Sequence, residues 1–181
     1  IWGVITDTMQ LEEGASVDLS RFIHPRIEPE VAFITRKEIS SALNLAEAID
    51  AIAGVCPAME IIDSRYQAFK FTLEDVVADD TSSAGFVLGA MRPVNTDISN
   101  CGVNMKENGR LVQAGSTAAI LGDPLRCLVQ VSQLLAEKGQ VLPAGSIIMA
   151  GAATAAQAMQ KNALYETTIL GLGTVSVRSQ P

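Results

Sequence analysis

Short apolar segments bounded by turn residues dominate this chain, and they constrain its fold more than any other feature. Two helical segments interrupt them, without the regular alternation that a doubly wound parallel sheet requires. An Asn-Gly pair at 108–109 predicts a tight hairpin turn. The pattern therefore predicts an α+β fold on a mixed, mostly antiparallel sheet. The segments with strand character are residues 31–35, 59–62, 85–88, 102–107, 110–114, 146–149 and 167–178, the last interrupted by Gly171 and Gly173, a pair typical of a bulge.

Both helices are predicted from apolar spacing and from residues that start or end helices. The first covers about 40–52, with Ser40 or Ser41 as the capping residue. The second starts after Asp123, has Pro124 at its first position and ends before Gly139. Its apolar stripe is expected to face the core.

Length, charge and cysteine content exclude several classes of protein. The 181 residues, 48% of them hydrophobic, fit one domain with a sizeable core. The net charge of −7 and the lack of a basic block argue against nucleic acid and anionic membranes as partners. No apolar run reaches transmembrane length. Three cysteines without metal-ligand spacing favour reduced thiols in a cytoplasmic protein, and a single histidine excludes a multi-histidine metal site. The first residues lack an initiator methionine and resemble the middle of a domain, so further sequence upstream is expected.

Three glutamates lie inside otherwise apolar runs. Glu28 and Glu30 are two positions apart, so on a strand their side chains share a face, and Glu60 lies in a second apolar run. Like charges in an apolar setting repel unless a cation neutralises them, and hard cations such as Mg²⁺ or Mn²⁺ prefer oxygen ligands. The alternative is that Glu28 and Glu30 lie on the solvated face of an antiparallel sheet.

Residues 62–71 combine acidic, basic and phenolic side chains directly after Glu60. Arg65 and Lys70 could bind a substrate carboxylate, Arg65 through a bidentate fork. The alternative is a turn with surface salt bridges, in which Asp63 pairs with Arg65.

Two further segments could approach a ligand. Residues 78–85 form a polar loop that can present Ser83 to a ligand oxygen, or serve only as a turn. The small residues of 151–156 would let the hydroxyl of Thr154 come close to a ligand, although tight packing explains them equally well.

These segments, in this order, resemble the fumarylacetoacetate hydrolase superfamily, and most closely its hydratase and decarboxylase branch. Residues 25–33 (P-R-I-E-P-E-V-A-F) are similar to the family's P-[KR]-I-E-x-E-[IV]-A-F. Residues 78–83 (A-D-D-T-S-S) are similar to A-D-N-A-S-S, and residues 143–151 (P-A-G-S-I-I-M-A-G) to P-A-G-S-x-I-M-T-G. The resemblance covers essentially the whole chain. It implies a mostly antiparallel β-roll or sandwich with few helices, in which residues 1–181 form a single catalytic domain without the family's N-terminal region.

The resemblance also assigns roles to residues. It implies that Glu28, Glu30 and Glu60 bind Mg²⁺ or Mn²⁺, that Ser83 and Thr154 bind the substrate carboxylate, and that Asp7 is an acid of the catalytic site. Arg65 and Lys70 would then bind substrate or support their loop. The chain departs from the family in two ways. It does not contain the K-x-G-L-T-S motif that carries the family's lysine, and it has K-N-A at 161–163 where the family has P-G-D.

The activity implied is metal-dependent decarboxylation of 2-oxo-3-hexenedioate to 2-hydroxypenta-2,4-dienoate, in the meta-cleavage catabolism of aromatic compounds. Two alternatives remain: a hydratase of 2-hydroxypenta-2,4-dienoate on the same scaffold, or an inactive partner subunit. The partners expected from the resemblance are a small unsaturated 2-oxo diacid, the pathway hydratase and further copies of the chain in a homo-oligomer.

Overall fold

A computed structural model describes all 181 residues, and strands dominate it. The strands are β1 (Gln10–Leu11), β2 (Ser16–Asp18), β3 (Arg26–Thr35), β4 (Ile52–Ile62), β5 (Ser83–Leu88), β6 (Gly102–Glu107), β7 (Arg110–Ser116), β8 (Ile147–Ala152), β9 (Gln157–Ala158), β10 (Leu164–Ile169) and β11 (Gly173–Gln180). The helices are α1 (Leu45–Ala51), α2 (Leu73–Ala78) and α3 (Leu125–Glu137). Short 3-10 turns occur at Asp7–Met9, Leu19–Arg21, Gln67–Phe69, Asp80–Ser82 and Thr117–Ala119.

The strands form two sheets. The first has the order β1-β5-β4-β3-β8, with β9 also paired to β3, and the second has the order β2-β11-β10-β6-β7. The pairs β1–β5 and β2–β11 are parallel and all other pairs are antiparallel. The prediction of an α+β fold with mixed, mostly antiparallel sheets and few helices is thus confirmed.

Apolar side chains from both sheets pack against each other in two buried clusters. Ile27, Met59 and Ile61 of the first sheet lie in the same buried cluster as Tyr165 and Val177 of the second, and all five are fully buried. Because successive side chains of a strand point to opposite faces, the residues between those of the first sheet must point away from the second sheet. This alternation leaves the outer face of the first sheet available for polar side chains.

The helix α1 begins later than the sequence predicted. Its capping residue is Asn44, whose side chain accepts hydrogen bonds from the backbone of Ala46 and Glu47, while Glu47 reaches back to the backbone N–H of Asn44. This reciprocal cap satisfies backbone groups that Ser40 and Ser41 would leave unpaired, so the predicted start was wrong.

The helix α3 agrees with its predicted ends, and α2 was not predicted. The carboxylate of Asp123 accepts from the N–H of Leu125, and α3 ends just ahead of Gly139. Its Leu128 is fully buried, and α3 packs against both α1 and β8. In contrast α2 buries no residue, so it has no apolar stripe to reveal it; its signal is the cap between Thr72 and Asp75.

Two turns were tested by the structure. Asn108 and Gly109 both have positive φ, 51° and 79°, and join β6 to β7 as a tight hairpin, which confirms that prediction. The pair Gly171 and Gly173 was predicted to mark a bulge, and this was wrong. Gly173 pairs with Ile169, so the residues between them form the turn of a second hairpin, β10–β11. No helix has the length and apolar character needed to cross a membrane.

Candidate metal centre

The three glutamates converge on the outer face of the first sheet. Glu28 on β3 lies directly opposite Glu60 on β4, and Glu30 follows two positions later on the same face. One carboxylate oxygen from each lies within 4.8 Å of the others. Around Mg²⁺, with oxygens at about 2.1 Å, adjacent ligands are roughly 3 Å apart and opposite ligands roughly 4 Å apart. Small side-chain rotations would therefore bring the three oxygens to ligand distances.

Pro29, between two of the glutamates, explains how a third strand reaches the site. Proline has no N–H, so inside a sheet it is confined to edges and bulges. Pro29 lies where the neighbour of β3 changes from β9 to β8, and its carbonyl accepts from Ala153, which has left the strand. At the end of β8, Gly151 has φ of 106°, and its N–H donates to Glu30 Oε2 at 2.8 Å. The change of strand pairing at Pro29 thus leaves the backbone N–H of Gly151 available to donate to Glu30.

Burial raises the pKa of all three carboxyl groups, and repulsion from neighbouring glutamates adds to the shifts of Glu28 and Glu30. Burial, followed by the charge of Glu60, raises the pKa of Glu28 to about 7. Burial, followed by the charges of Glu60 and Glu28, raises the pKa of Glu30 well above its ordinary value, and Glu30 is 2% exposed. Burial also raises the pKa of Glu60, although a hydrogen bond from Ser83 opposes this. Without a cation the cluster retains protons near neutral pH, and a divalent cation would replace them.

A strained loop supports the cluster from one side. Ser83 Oγ donates to Glu60 Oε1 at 2.7 Å, and Thr81 Oγ1 lies 3.0 Å from Ser83 Oγ. The residues just before Ser83, at 80–82, have positive φ of 50°, 59° and 63° although none is glycine. Each such residue costs roughly 1–2 kcal/mol, so the loop must be held by other contacts.

Asp79 provides those contacts. Its carboxylate accepts from Arg65 N at 3.1 Å, Arg65 Nη1 at 2.8 Å and Ser82 Oγ at 2.9 Å. The same Nη1 also donates to the backbone carbonyl of Asp79. Burial alone would raise the pKa of Asp79, but the hydrogen bonds from Arg65 and Ser82 outweigh it and hold the pKa below its ordinary value.

A cavity of about 730 Å³ opens beside the glutamates. Residues 1–7 form one wall, and apolar side chains of α3 and β8, among them Val131, Leu134 and Ile148, form another. Gln130 adds a polar group. Four carboxylates line the cavity and no lysine or arginine does, so its walls carry no positive side chain to balance them. The oxygen donor set and this charge imbalance both fit a hard divalent cation.

The structure brings together some of the predicted site residues and separates others. Asp7 lies exposed at the cavity, in a 3-10 turn, and Ser83 lines the cavity next to the glutamates. Thr154, Arg65 and Lys70 lie outside the cavity lining. Thr154 Oγ1 donates to the carbonyl of the next residue, and Lys70 is exposed. The substrate-binding and catalytic roles of these five residues remain predictions.

The predicted pair of Asp63 with Arg65 was wrong. The carboxylate of Asp63 instead accepts from the backbone N–H groups of Ile23 and His24, both at 2.8 Å. Arg65 pairs with Asp79. These two backbone donors bind Asp63 to the segment that precedes β3. The guanidinium of Arg65 pairs with Asp79 of the neighbouring loop instead.

Sequence reasoning missed Asp79, Gly151 and Cys127. Asp79 was visible only as the first acid of a polar loop, and its buried position depends on α2, which was not predicted. Gly151 acts through its backbone, and its partner Glu30 is 121 positions away. Cys127 lines the cavity from α3, where burial, followed by the charge of Glu30, raises its thiol pKa to about 11.

Comparison with known proteins identifies the family. Residues 7–179 match the fumarylacetoacetate (FAA) hydrolase C-terminal family, and the chain belongs to it. Among its relatives is a 4-oxalocrotonate decarboxylase of Pseudomonas sp, 48% identical over 97% of this chain and 69% of the relative. A 2-keto-4-pentenoate hydratase of Dechloromonas aromatica is 32% identical over 97% of this chain and 68% of that protein. The solved structure of 4-oxalocrotonate decarboxylase from Pseudomonas putida G7, complexed with magnesium and adipate, matches with a TM-score of 0.93 and 39% identity, covering 98% of this chain and 68% of that one.

Proposed function

We propose that this chain is a metal-dependent carboxy-lyase that converts 2-oxo-3-hexenedioate (4-oxalocrotonate) to 2-hydroxypenta-2,4-dienoate in the meta-cleavage catabolism of aromatic compounds. The observation that carries the proposal is the clustered trio Glu28, Glu30 and Glu60, of which Glu30 is buried, in a cavity without a basic side chain. The decarboxylase relatives are more similar to this chain than the hydratases are, which favours decarboxylation over hydration. Adipate, present in the magnesium complex of one relative, is a six-carbon diacid of the same length as the substrate.

The three glutamates would hold Mg²⁺ or Mn²⁺. When bound, the cation would polarise the 2-oxo group of the substrate and stabilise the negative charge that develops there. Gly151 fixes one oxygen of Glu30 and Ser83 fixes one oxygen of Glu60, so both carboxylates are oriented before any ligand arrives.

The remaining walls suit the unsaturated carbon chain of the substrate. Apolar side chains of α3 and β8 exclude water, and electrostatic interactions are stronger where water is excluded. As the bond to the distal carboxylate breaks, CO₂ leaves and the electron pair moves through the conjugated chain to the 2-oxo oxygen, which takes a proton from solvent to give 2-hydroxypenta-2,4-dienoate. Ser83 and Thr154 are proposed to bind substrate carboxylate, and Asp7, as an acid of the catalytic site, to orient the family's lysine. Arg65 suits loop support better, because its guanidinium pairs with Asp79, and the exposed Lys70 is grouped with it.

Product analysis tests the reaction. The protein is incubated with Mg²⁺ or Mn²⁺ and with 2-oxo-3-hexenedioate or 2-hydroxypenta-2,4-dienoate, and CO₂ and hydroxylated 2-oxo acid are measured. Glu60→Gln removes a proposed ligand, and the exposed Glu38→Gln is its matched control. Metal-dependent CO₂ release that is lost only in Glu60→Gln supports the proposal. Formation of a hydroxylated 2-oxo acid alone would identify a hydratase. No turnover of either substrate by the full-length protein, with no effect of Glu60→Gln, would favour an inactive partner subunit.

We also propose that residues 1–181 form a single catalytic domain, that the protein acts in the cytoplasm, and that it forms a homo-oligomer able to associate with the pathway hydratase. Coupling the two enzymes would suit the chemistry, because the decarboxylation product is the hydratase substrate. Light scattering of the protein alone and mixed with the hydratase tests both associations. A monomer that leaves the hydratase mass unchanged would refute them.

A further inference from the structure

We propose that Asp79 is a positioning residue of the metal centre, which acts by holding Ser83 against Glu60. This inference rests on the proposed metal-binding function of the glutamates. Asp79 does not line the cavity, so it would act through the loop and not by contact with a ligand.

The contacts form a continuous path from Asp79 to the cluster. The side chain of Asp79 is 2% exposed; its Oδ2 accepts from both the backbone N–H of Arg65 and the hydroxyl of Ser82, and its Oδ1 accepts from Arg65 Nη1. The next residue, Ser83, donates to Glu60 at 2.7 Å. The three residues between Asp79 and Ser83 are all left-handed, so a relaxed loop would not keep this path.

The same loop holds the N-terminal wall of the cavity. Asp80 Oδ1 accepts from the N–H of Val4 at 2.8 Å. A Cβ on Gly3 would lie 2.6 Å from that oxygen and 2.9 Å from the carbonyl oxygen of Asp80, so the two segments are in close contact. Asp79 therefore supports a loop that contacts both the glutamate cluster and the N-terminal wall of the cavity.

The chemistry at this position requires a carboxylate. Three donors converge on its two oxygens, and both oxygens of an ionised carboxylate only accept. Asparagine would turn one of those oxygens into an N–H₂ group that faces donors. In either orientation of the amide, Asp79→Asn keeps the volume but loses an acceptor, either for Arg65 Nη1 or for both Arg65 N and Ser82 Oγ, so the support of the left-handed conformation of 80–82 is weakened.

The test compares the affinity for Mn²⁺, measured by titration calorimetry without substrate, in Asp79→Asn, Ser83→Ala and the double variant. Supporting residues around metal ligands typically change affinity 10–100-fold when they are replaced. We expect each single variant to bind Mn²⁺ at least about tenfold more weakly. The double variant should bind Mn²⁺ only slightly more weakly than the single variant with the lower affinity, because both changes interrupt the same chain of contacts.

A control variant tests whether the loss of a carboxylate away from the loop changes Mn²⁺ binding. Asp97 is an exposed carboxylate that accepts hydrogen bonds from Ser99 and lies outside the cavity lining, so Asp97→Asn should leave Mn²⁺ affinity unchanged. Should Asp79→Asn fail to fold, Arg65→Gln removes the side-chain donor while Asp79 stays. Weaker Mn²⁺ binding in Arg65→Gln would support positioning, and unchanged Mn²⁺ binding with a raised KM would show that Arg65 binds substrate.

Two results would overturn the inference. One is Mn²⁺ affinity within twofold of wild type in a folded Asp79→Asn protein, even if its melting temperature falls. The other is full additivity of Asp79→Asn and Ser83→Ala. Neither result depends on turnover, so a wild-type protein that binds Mn²⁺ but releases no CO₂ would refute the proposed reaction and leave this test intact.

Discussion

The replacement of Glu30 by glutamine should change stability in opposite directions with and without metal. The amide has the shape of the carboxylate, and its oxygen can still accept from Gly151, but it carries no charge. At 4.8 Å, with an effective dielectric constant of about 20, two ionised carboxylates repel by about 3.5 kcal/mol. Glu30 takes part in two such pairs, and the wild type relieves part of the repulsion by retaining protons. We therefore expect metal-free Glu30→Gln to be about 3 kcal/mol more stable than wild type at pH 8.

The pH dependence follows from the direction of the pKa shift. The pKa of Glu30 is raised in the folded protein, mainly by burial, so the folded state holds a proton that the unfolded state releases above its ordinary pKa. Metal-free wild type should thus lose stability as pH rises above about 4.5, and the variant should lose less. Near pH 5 the two proteins should differ little.

Thermal unfolding measures both effects. For a chain of this length, 3 kcal/mol corresponds to roughly 6–12 °C, so metal-free Glu30→Gln should melt higher than wild type at pH 8. Saturating Mn²⁺ should raise the melting temperature of wild type and leave the variant nearly unchanged. Glu38→Gln, an exposed change of the same kind, should follow wild type throughout. A metal-free Glu30→Gln that is less stable at pH 8, or an equal response of variant and wild type to Mn²⁺, would refute the reasoning.

Further expected outcomes concern proton competition and packing. Because the pKa of Glu28 is raised to about 7, metal must displace a proton at low pH; calorimetry should find Mn²⁺ affinity about tenfold weaker at pH 6 than at pH 8, and equal affinities would contradict this. In urea unfolding, Gly115→Ala should lose about 1–3 kcal/mol, because its Cβ would lie 2.6 Å from a backbone carbonyl oxygen, whereas Gly102→Ala meets nothing within 4 Å and should not. Leu128→Ala, fully buried, should cost about 2–5 kcal/mol, and Leu170→Ala, 71% exposed, less than about 0.5 kcal/mol; similar losses would show that burial does not govern these positions.

The part of the site that depends on local periodicity could be predicted from the sequence. Glu28 and Glu30 share a face because a strand repeats every two residues, and this needs no knowledge of the fold. Glu60 is different. Its position opposite Glu28 depends on the register of β3 against β4, which periodicity does not determine, and only the family resemblance joined it to the other two.

The supporting contacts could not be predicted, because they join distant segments or use the backbone. The bond from Gly151 to Glu30 exists only because the pairing of β3 changes neighbour at Pro29. Asp79 could not be separated from other loop acids without knowing that α2 precedes it and that Arg65 faces it. The fold class was predictable because strand segments and turn residues are local signals, whereas the exposed α2 carries no apolar periodicity.

The position of the glutamates on two adjacent strands, with a third strand bonded to one of them, has a consequence for the lifetime of the folded state. Glu28 and Glu30 belong to β3 and Glu60 to β4, and Gly151 of β8 donates a hydrogen bond to Glu30. One bound cation would therefore link the two central strands of the first sheet and, through Glu30, the strand beside them. These strands cannot separate without releasing it. Metal should therefore slow unfolding far more than it speeds folding, and the backbone amides of β3 and β4 should exchange with solvent most slowly in the metal-bound protein. A catalytic ion held in this way would also increase the kinetic stability of the domain.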